Sequence, residues 1–297
     1  MVKITGSGGF VGKNVVLYLQ AMGVSTNTIT RSELYAIDDN LLKYTETVIH
    51  LAGKAHDLKG ESEAHEYYKV NFEVTKKLYD AFLQSGAKKF IFISSVKAVE
   101  DSPVGSLIEE YAAHPRTHYG KSKRMAEEYI LAQNLPENKS VFILRPCMIH
   151  GPGNKGNLNL LYQFVEKGIP YPLASFQNRR SFLSIDNLSF VINELVKKDL
   201  PSGIYNVADD EALSTNEVIS ILAASLGKEA RFWFIPQKVI IFFAAIGNIL
   251  KLPLTERLDK LTGNYVVSNE KIIKALGTQL PVKAKDGLLS TANSFKP

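Results

Sequence analysis

The sequence predicts an α/β protein in which a doubly wound parallel sheet is followed by a smaller C-terminal α/β lobe. Three observations predict it. Short β-branched runs alternate with longer helical patterns over residues 1–146, the order expected when parallel strands are joined by helical crossovers. The run "KKFIFISSV" is almost continuously apolar, as a strand covered on both faces must be. The chain also opens on a strand, a glycine turn and a helical pattern in direct succession, "VKITGSGGFVGKNVVLYLQAM".

In order along the chain, residues 2–5 read as a strand and residues 11–22 as a helix, with apolar residues recurring at helical spacing. Residues 25–30 form a second strand. "TVIHLAG" is a buried strand that ends in small residues, and residues 61–85 form one long helical pattern stopped by Gly86. The strand "KKFIFISSV", a helix over 119–133 and the strand "SVFILRP" complete the alternation. After Pro146 the character changes. "HGPGNKGNLN" reads as a loop, followed by the short mixed elements "RSFLSIDNL" and "GIYNVADD" and by the helical "TNEVISILAASLG". Residues 1–150 are therefore expected to form the sheet domain, with returning segments near 182–207. Residues 151–181 and 208–297 are expected to form the smaller lobe.

With 297 residues, 45% hydrophobic and 22% charged, the chain can bury a large core. The net charge of +5 is mildly basic. The basic residues are scattered singly or in small groups such as Lys88-Lys89 and Arg179-Arg180, which excludes a nucleic-acid-binding stripe. The single cysteine, Cys147, rules out internal disulfides, argues against a thiolate zinc site and reads as a small core residue. His114 and His118 are spaced i,i+4, but Pro115 between them disfavours a regular helix, and no metal site is expected. "MVKITGSGG" reaches glycine before an apolar signal region could form. The most apolar stretch, "VIIFFAAIGNIL" over residues 239–250, falls well short of the ~20 residues that span a bilayer. It is expected to pack against the body of the protein or a second subunit, as in a homodimer, with attachment to a membrane surface as the other option. The reducing cytoplasm is the expected compartment.

Four local patterns carry chemistry. Gly6, Gly9 and Gly12 in "TGSGGFVG" join the first strand to the first helix. Glycine permits a tight turn and close backbone approach to a pyrophosphate, and the helix start, with Phe10 and Val11, offers unpaired N–H groups. In this strand-turn-helix setting the pattern predicts a Rossmann-type dinucleotide site. After the second strand, "ITRSE" places Thr30, Arg31 and Ser32 where an NAD site usually carries Asp or Glu. A guanidinium binds a ribose 2′-phosphate through charge-assisted bonds, so Arg31 favours NADP over NAD. Glu33 is the carboxylate close enough to serve the ribose instead. "FISSVKA" puts Ser94 and Ser95 at the C-terminal edge of a core strand, where open α/β sheets bind ligands. "HYGKSKRMAEEY" then holds Tyr119 and Lys123 one helical turn apart. Of the 13 tyrosines, only Tyr119 is followed by lysine at i+4.

These motifs, together with "VIHLAG", "VNFEVTKKL", "LRP" followed by "GPG", "RSFLSIDNL" and "YNVAD", resemble the extended short-chain dehydrogenase/reductases of the nucleotide-sugar epimerase/dehydratase group. "LAGKAHD" with "SSVKA" is most similar to the UDP-glucose 4-epimerase-like branch that includes UDP-4-keto-hexosamine reductases. The resemblance implies Ser95, Tyr119 and Lys123 as a catalytic triad. It implies Leu51, Ala52 and Gly53 beside the cofactor, Asn71 as a structural asparagine there, and Pro146 at the carboxamide. Arg180 matches an arginine that holds the substrate diphosphate, with Asn157 and Arg257 as further candidates and Ser95 and Lys97 beside the sugar. An acidic residue often found near the adenine is missing, with Ala36 and Ile37 in its place. Related dehydratases carry an Asp-Glu pair after the triad serine, and C3/C5 epimerases carry a cysteine at the next position. Here Val96 and Lys97 follow Ser95, which argues against both reactions.

The implied activity is hydride transfer at C4 of a UDP-hexose or UDP-hexosamine, with NADP or NAD as cofactor and Tyr119 exchanging the proton on the sugar oxygen. A nearby Lys123 cation and the positive charge of the oxidised nicotinamide are expected to move the Tyr119 phenol down from about 10 by up to about three units. A UDP-4-keto-sugar reductase, a UDP-glucose or UDP-GlcNAc 4-epimerase and a non-catalytic dinucleotide-sensing module are the alternatives. The triad counts against the third.

Overall fold

The structure, a computed structural model, describes residues 1–38, 40–55, 63–154, 156–249, 258–259 and 261–295, without the side chains of 157 and 247–249. Its centre is a parallel six-stranded sheet. The strands are β1 (Val2–Thr5), β2 (Thr26–Ile29), β3 (Thr47–His50), β4 (Lys89–Ile93), β6 (Ser140–Pro146) and β9 (Gly203–Val207), in the order β2-β1-β3-β4-β6-β9. The registers align Ile4 with Ile49, Ile49 with Ile91 and Ile91 with Phe142. Side chains alternate across the pleat. Ile4, Ile49, Ile91, Phe142 and Leu144 therefore face one buried cluster, while Val48, Phe90, Phe92, Val141 and Ile143 face another. The first cluster is closed by α1 (Phe10–Ala21), through Val15 and Leu19, and by α7 (Ile185–Lys197), through Leu188, Val191 and Ile192. The second is closed by α4 (Val74–Gln84), through Leu78 and Phe82, and by α5 (His118–Ala132), through Ala126 and Ile130. Helices on both faces explain why the inner strands read as apolar runs.

The C-terminal part adds a three-stranded sheet, β10 (Ala212–Leu213), β8 (Arg180–Ser184) and β7 (Met148–His150), and a pairing of β11 (Val266–Val267) with β5 (Ser106–Leu107). A third cluster joins α6 (Asn157–Glu166), α8 (Thr215–Ser225) and the helix Ala284–Asn293 through Leu158, Tyr162, Val218, Leu222 and Leu288.

Several elements differ from expectation. The long helical pattern at 61–85 contains α3 (Ala64–Tyr68), a π-helical turn over Lys69–Glu73, and α4. The widened turn carries Asn71 inward, to bond the backbone of Lys54 and the Ser122 hydroxyl, a tertiary demand that periodicity does not register. The expected loop after His150 gives way to α6 at Asn157. Ala36 and Ile37 follow a short helix, α2 (Arg31–Tyr35), and Ile37 packs on the second cluster. The apolar stretch forms α9 (Gln237–Ile249), and over residues 237–246 it lies largely exposed rather than packed on the body. Of residues 237–246 only Ala244 is buried, while Ile241, Phe242 and Phe243 are exposed. Among the described residues no helix is long and apolar enough to cross a membrane.

Candidate active site

From β1 the chain passes to β2 on one side and later to β3 on the other, which opens a crevice at the C-terminal ends of β1 and β3. Gly6 turns the chain there with φ +71°, and a Cβ on it would meet the Ala52 nitrogen at 2.6 Å. A Cβ on Gly12 would lie 2.1 Å from the Gly6 carbonyl oxygen, so only glycine lets α1 sit on the turn. Gly9 is the N-cap of α1, with no side-chain cap and no acidic residue in the first turn. The N–H groups at Phe10, Val11 and beyond thus keep their partial positive charge for an anion. This glycine cradle at an uncapped helix start fits the pyrophosphate of a nicotinamide dinucleotide.

The opposite wall is fixed by a buried relay that sequence reading missed. The Ala52 N–H donates to Thr5 Oγ1 (3.1 Å), which contacts His50 Nδ1 (2.7 Å). His50 Nε2 contacts Thr75 Oγ1 (2.8 Å), which donates to the Asn71 carbonyl (2.8 Å). Burial, and secondarily the Lys123 charge, hold His50 down at about 3, so the ring is neutral. A polar residue inside the apolar run "TVIHLAG" was the available signal.

Thr117 caps α5 by accepting from the Gly120 N–H at 3.1 Å. A Cβ on Gly120 would lie 2.3 Å from the Lys97 carbonyl oxygen. The first turn of α5 can therefore press against the 3₁₀ turn Val96–Ala98, which Ser95 caps through Oγ and the Lys97 N–H. This packing brings the Ser95 hydroxyl to the Tyr119 phenol, near enough to draw its pKa down against the effect of burial. One turn further, Lys123 is buried. Its Nζ donates to the Ile93 carbonyl at 2.8 Å and lies 4.8 Å from the centre of the Phe92 ring. A Cβ on Gly53 would come within 3.1 Å of that Nζ and 3.2 Å of Asn71 Oδ1, so Gly53, Asn71 and Lys123 meet at one point. Burial lowers Lys123 to about 8, against the pull of Glu127.

The Lys123 part of the expected depression of the Tyr119 phenol is not what the chain produces. Burial raises the phenol, the Ser95 hydroxyl opposes the rise, and Tyr67 adds to it. The Lys123 ammonium, which was to lower it, is turned to the Ile93 carbonyl. Beneath the pair, Ser94 Oγ donates to Glu127 Oε1 at 2.5 Å, and buried Arg145 grips both Glu127 oxygens at 3.0 and 2.6 Å. This fork locks α5 to β6 from below. Pro146 ends β6 beside it, buried.

On the other side of Ser95, Lys97 Nζ donates to the Asp101 carbonyl at 2.8 Å and lies 4.4 Å from the Tyr265 ring centre. Burial lowers both Lys97 and Arg180, and the Arg180 charge contributes to the shift at Lys97. The two cations therefore share one electrostatic neighbourhood. Arg180 Nε donates to the Gly263 carbonyl at 3.1 Å. Arg179, by contrast, is exposed and 3.5 Å from Glu217. Arg257 and the Asn157 side chain lie outside the described residues. At the ribose end, Thr30 and Glu33 form a reciprocal capping box, with Glu33 Oε2 accepting from the Thr30 N–H at 2.8 Å. Arg31 is exposed on the first turn of α2, 5.6 Å from the Tyr35 ring centre.

Comparisons with known proteins match this geometry. Residues 2–208 fit the sequence pattern of the NAD dependent epimerase/dehydratase family. The chain is 32% identical to a UDP-glucose 4-epimerase of Vibrio cholerae, over 99% of this chain and 95% of that protein. It superposes on MoeE5, solved with UDP-glucuronic acid and NAD, with TM-score 0.78 at 21% identity, covering 99% of this chain and 98% of that one. RMD from Pseudomonas aeruginosa, solved with NADPH, superposes with TM-score 0.74 at 22% identity over 99% and 98% of the two chains. On the extent of the sequence match and the shared fold, the chain belongs to the NAD-dependent epimerase/dehydratase family.

Proposed function

We propose that the protein is an NAD(P)-dependent oxidoreductase acting at C4 of a UDP-hexose or UDP-hexosamine, and that it reduces a UDP-4-keto sugar with NADPH. A bound nicotinamide dinucleotide supplies the hydride. Gly6, Gly9, Phe10, Val11 and Gly12 hold its pyrophosphate, Leu51 to Gly53 and Asn71 flank it, Pro146 meets the carboxamide and Arg31 meets the 2′-phosphate. Tyr119 donates its proton to the C4 oxygen, Ser95 hydrogen-bonds the same oxygen, and Lys123 holds the ribose. Lys97 and Arg180 face the sugar diphosphate. On this reading residues 151–181 and 208–297 form the substrate lobe. The UDP-glucose 4-epimerase relative and the UDP-sugar bound to MoeE5 support the substrate class.

One observation carries the reductase reading: Glu33, the carboxylate nearest Arg31 in sequence, is engaged in the Thr30 capping box, while Arg31 stands exposed beside it. An acidic ribose clamp would suit an enzyme that retains NAD, and an arginine suits a 2′-phosphate that comes and goes. RMD holds NADPH and MoeE5 holds NAD, so these neighbours support a nicotinamide dinucleotide in the site and leave the choice of phosphate to Arg31. The second reading, a 4-epimerase, is supported by the V. cholerae relative.

The test is stoichiometric NADPH consumption with a UDP-4-keto-6-deoxy-hexosamine. Arg31→Ala should weaken NADPH about tenfold, the low end for an exposed charge-assisted pair, and leave NADH nearly unchanged. NAD retained through purification, with interconversion of UDP-glucose and UDP-galactose without added cofactor, would establish the epimerase.

A further inference from the structure

Helix α9 and the segment before it stand out in the described surface. Trp233, Phe234, Val239, Ile241, Phe242, Phe243 and Ile246 are all exposed, with Phe234, Phe242 and Phe243 each more than 60% accessible. None belongs to the three buried clusters. Such a concentration of aromatic and branched side chains exceeds the scattered apolar residues of an ordinary surface.

Charge decides what covers it. Residues 230–249 contain no Asp or Glu, and their charged residues are Arg231 and Lys238, with Lys228 and Glu229 just before them. Arg231 and Lys238 are exposed beside the aromatic residues. A second copy docking the same patch on itself would set these cations against one another with no carboxylate of the patch between them. An anionic bilayer supplies both needs at once: acyl chains for the aromatic face and headgroup phosphates for the cations. The helix has 13 residues, too short to span but long enough to lie in the interface.

The patch is also tied to the candidate substrate side. Phe232 bridges to Tyr171, Ser175 Oγ donates to the Ile235 carbonyl at 2.6 Å, and Gln237 Nε2 donates to the Ser175 carbonyl at 2.7 Å. Tyr171 in turn is close enough to Arg180 to perturb it. A surface held at α9 therefore lies next to the lobe that carries Arg180. We propose that α9, with residues 231–236, docks the protein on an anionic membrane surface, in the plane of the headgroups. This does not depend on which reaction the site performs.

The chain carries its own reporter, because Trp233 is its single tryptophan. Adding phosphatidylglycerol vesicles at low salt should shift Trp233 emission to the blue and carry the protein into the vesicle pellet. Neutral phosphatidylcholine vesicles, or ionic strength above about 0.5 M, should reduce pelleting several-fold. The double variant F242D/F243D should lower the pelleted fraction about tenfold or more while retaining the parent circular dichroism spectrum. Lys238→Glu, a surface change with no bearing on folding, should lower pelleting on anionic vesicles alone. No pelleting on anionic vesicles, pelleting unchanged in both variants, or a concentration-dependent dimer that Phe242→Asp dissociates in the absence of vesicle binding would overturn the proposal. The last result would assign the face to a second copy.

Discussion

Acidification should destabilise this fold through His50. The ring is fully buried and bonded to Thr5 and Thr75. Burial first, and the Lys123 charge second, lower it from 6.5 to about 3. Between those values the unfolded chain takes up a proton that the folded chain refuses, so stability is complete above about 6.5 and is lost as pH falls toward 3. Each unit in that window costs about 1.4 kcal/mol, so moving from pH 7.5 to pH 5 should cost about 2 kcal/mol from this residue alone. For a chain of this size that is a fall of roughly 4 °C in Tm. Urea unfolding at both pH values, on the parent and on His50→Gln, isolates the effect from the carboxylates. The variant should be less stable at pH 7.5, because Thr5 and Thr75 lose their partner, but its loss on acidification should be smaller by about 2 kcal/mol. If both proteins lose stability equally with acid, to within about 0.5 kcal/mol, the ring is not held neutral by the fold and the relay is misread.

Tyr119→Phe should keep fold and dinucleotide affinity while lowering kcat about a hundred- to ten-thousandfold, the usual range for removing a proton donor; activity within a few-fold of the parent would remove Tyr119 from that role. Gly12→Ala should abolish dinucleotide binding, measured by fluorescence titration, because the new Cβ meets the Gly6 oxygen at 2.1 Å and backbone rather than a flexible side chain must move. Arg180→Ala should raise KM for a UDP-sugar about tenfold or more and change dinucleotide affinity less than about twofold; equal loss of both would detach Arg180 from the diphosphate.

What was legible in the sequence was what depends on local pattern. β1, the glycine turn and α1 follow from strand chemistry, conformational freedom and helical spacing within some twenty residues, and each lies within a residue or two of its expected bounds. Tyr119 and Lys123 followed from one helical turn. What was not legible depends on contacts distant in sequence. His50 meets Thr75 across 25 positions and His150 meets Thr291 across 141, and nothing in either neighbourhood names the partner. The π-helical turn at 69–73 is invisible to a 3.6-residue period, because it exists to deliver Asn71 to Lys54 and Ser122. The expected pull of Lys123 on Tyr119 failed for the same reason. Spacing placed an ammonium one turn away, but the Ile93 carbonyl, thirty positions upstream of Lys123, claims it.

That reversal bears on the direction of the reaction. A 4-epimerase begins by oxidising C4, so its tyrosine must first accept a proton and works best when the phenolate is accessible. A ketoreductase begins by protonating a carbonyl oxygen, so its tyrosine must arrive protonated. In this chain burial raises Tyr119, and the Ser95 hydroxyl leans the other way. The buried Lys123, itself lowered to about 8, spends a hydrogen bond on the Ile93 carbonyl, and the neighbouring His50 is held neutral. The protein alone thus keeps the phenol in its donor form across the physiological range. A bound oxidised nicotinamide would add a positive charge that draws the phenol the other way, so the same residues serve reduction or epimerisation according to the dinucleotide that the site holds.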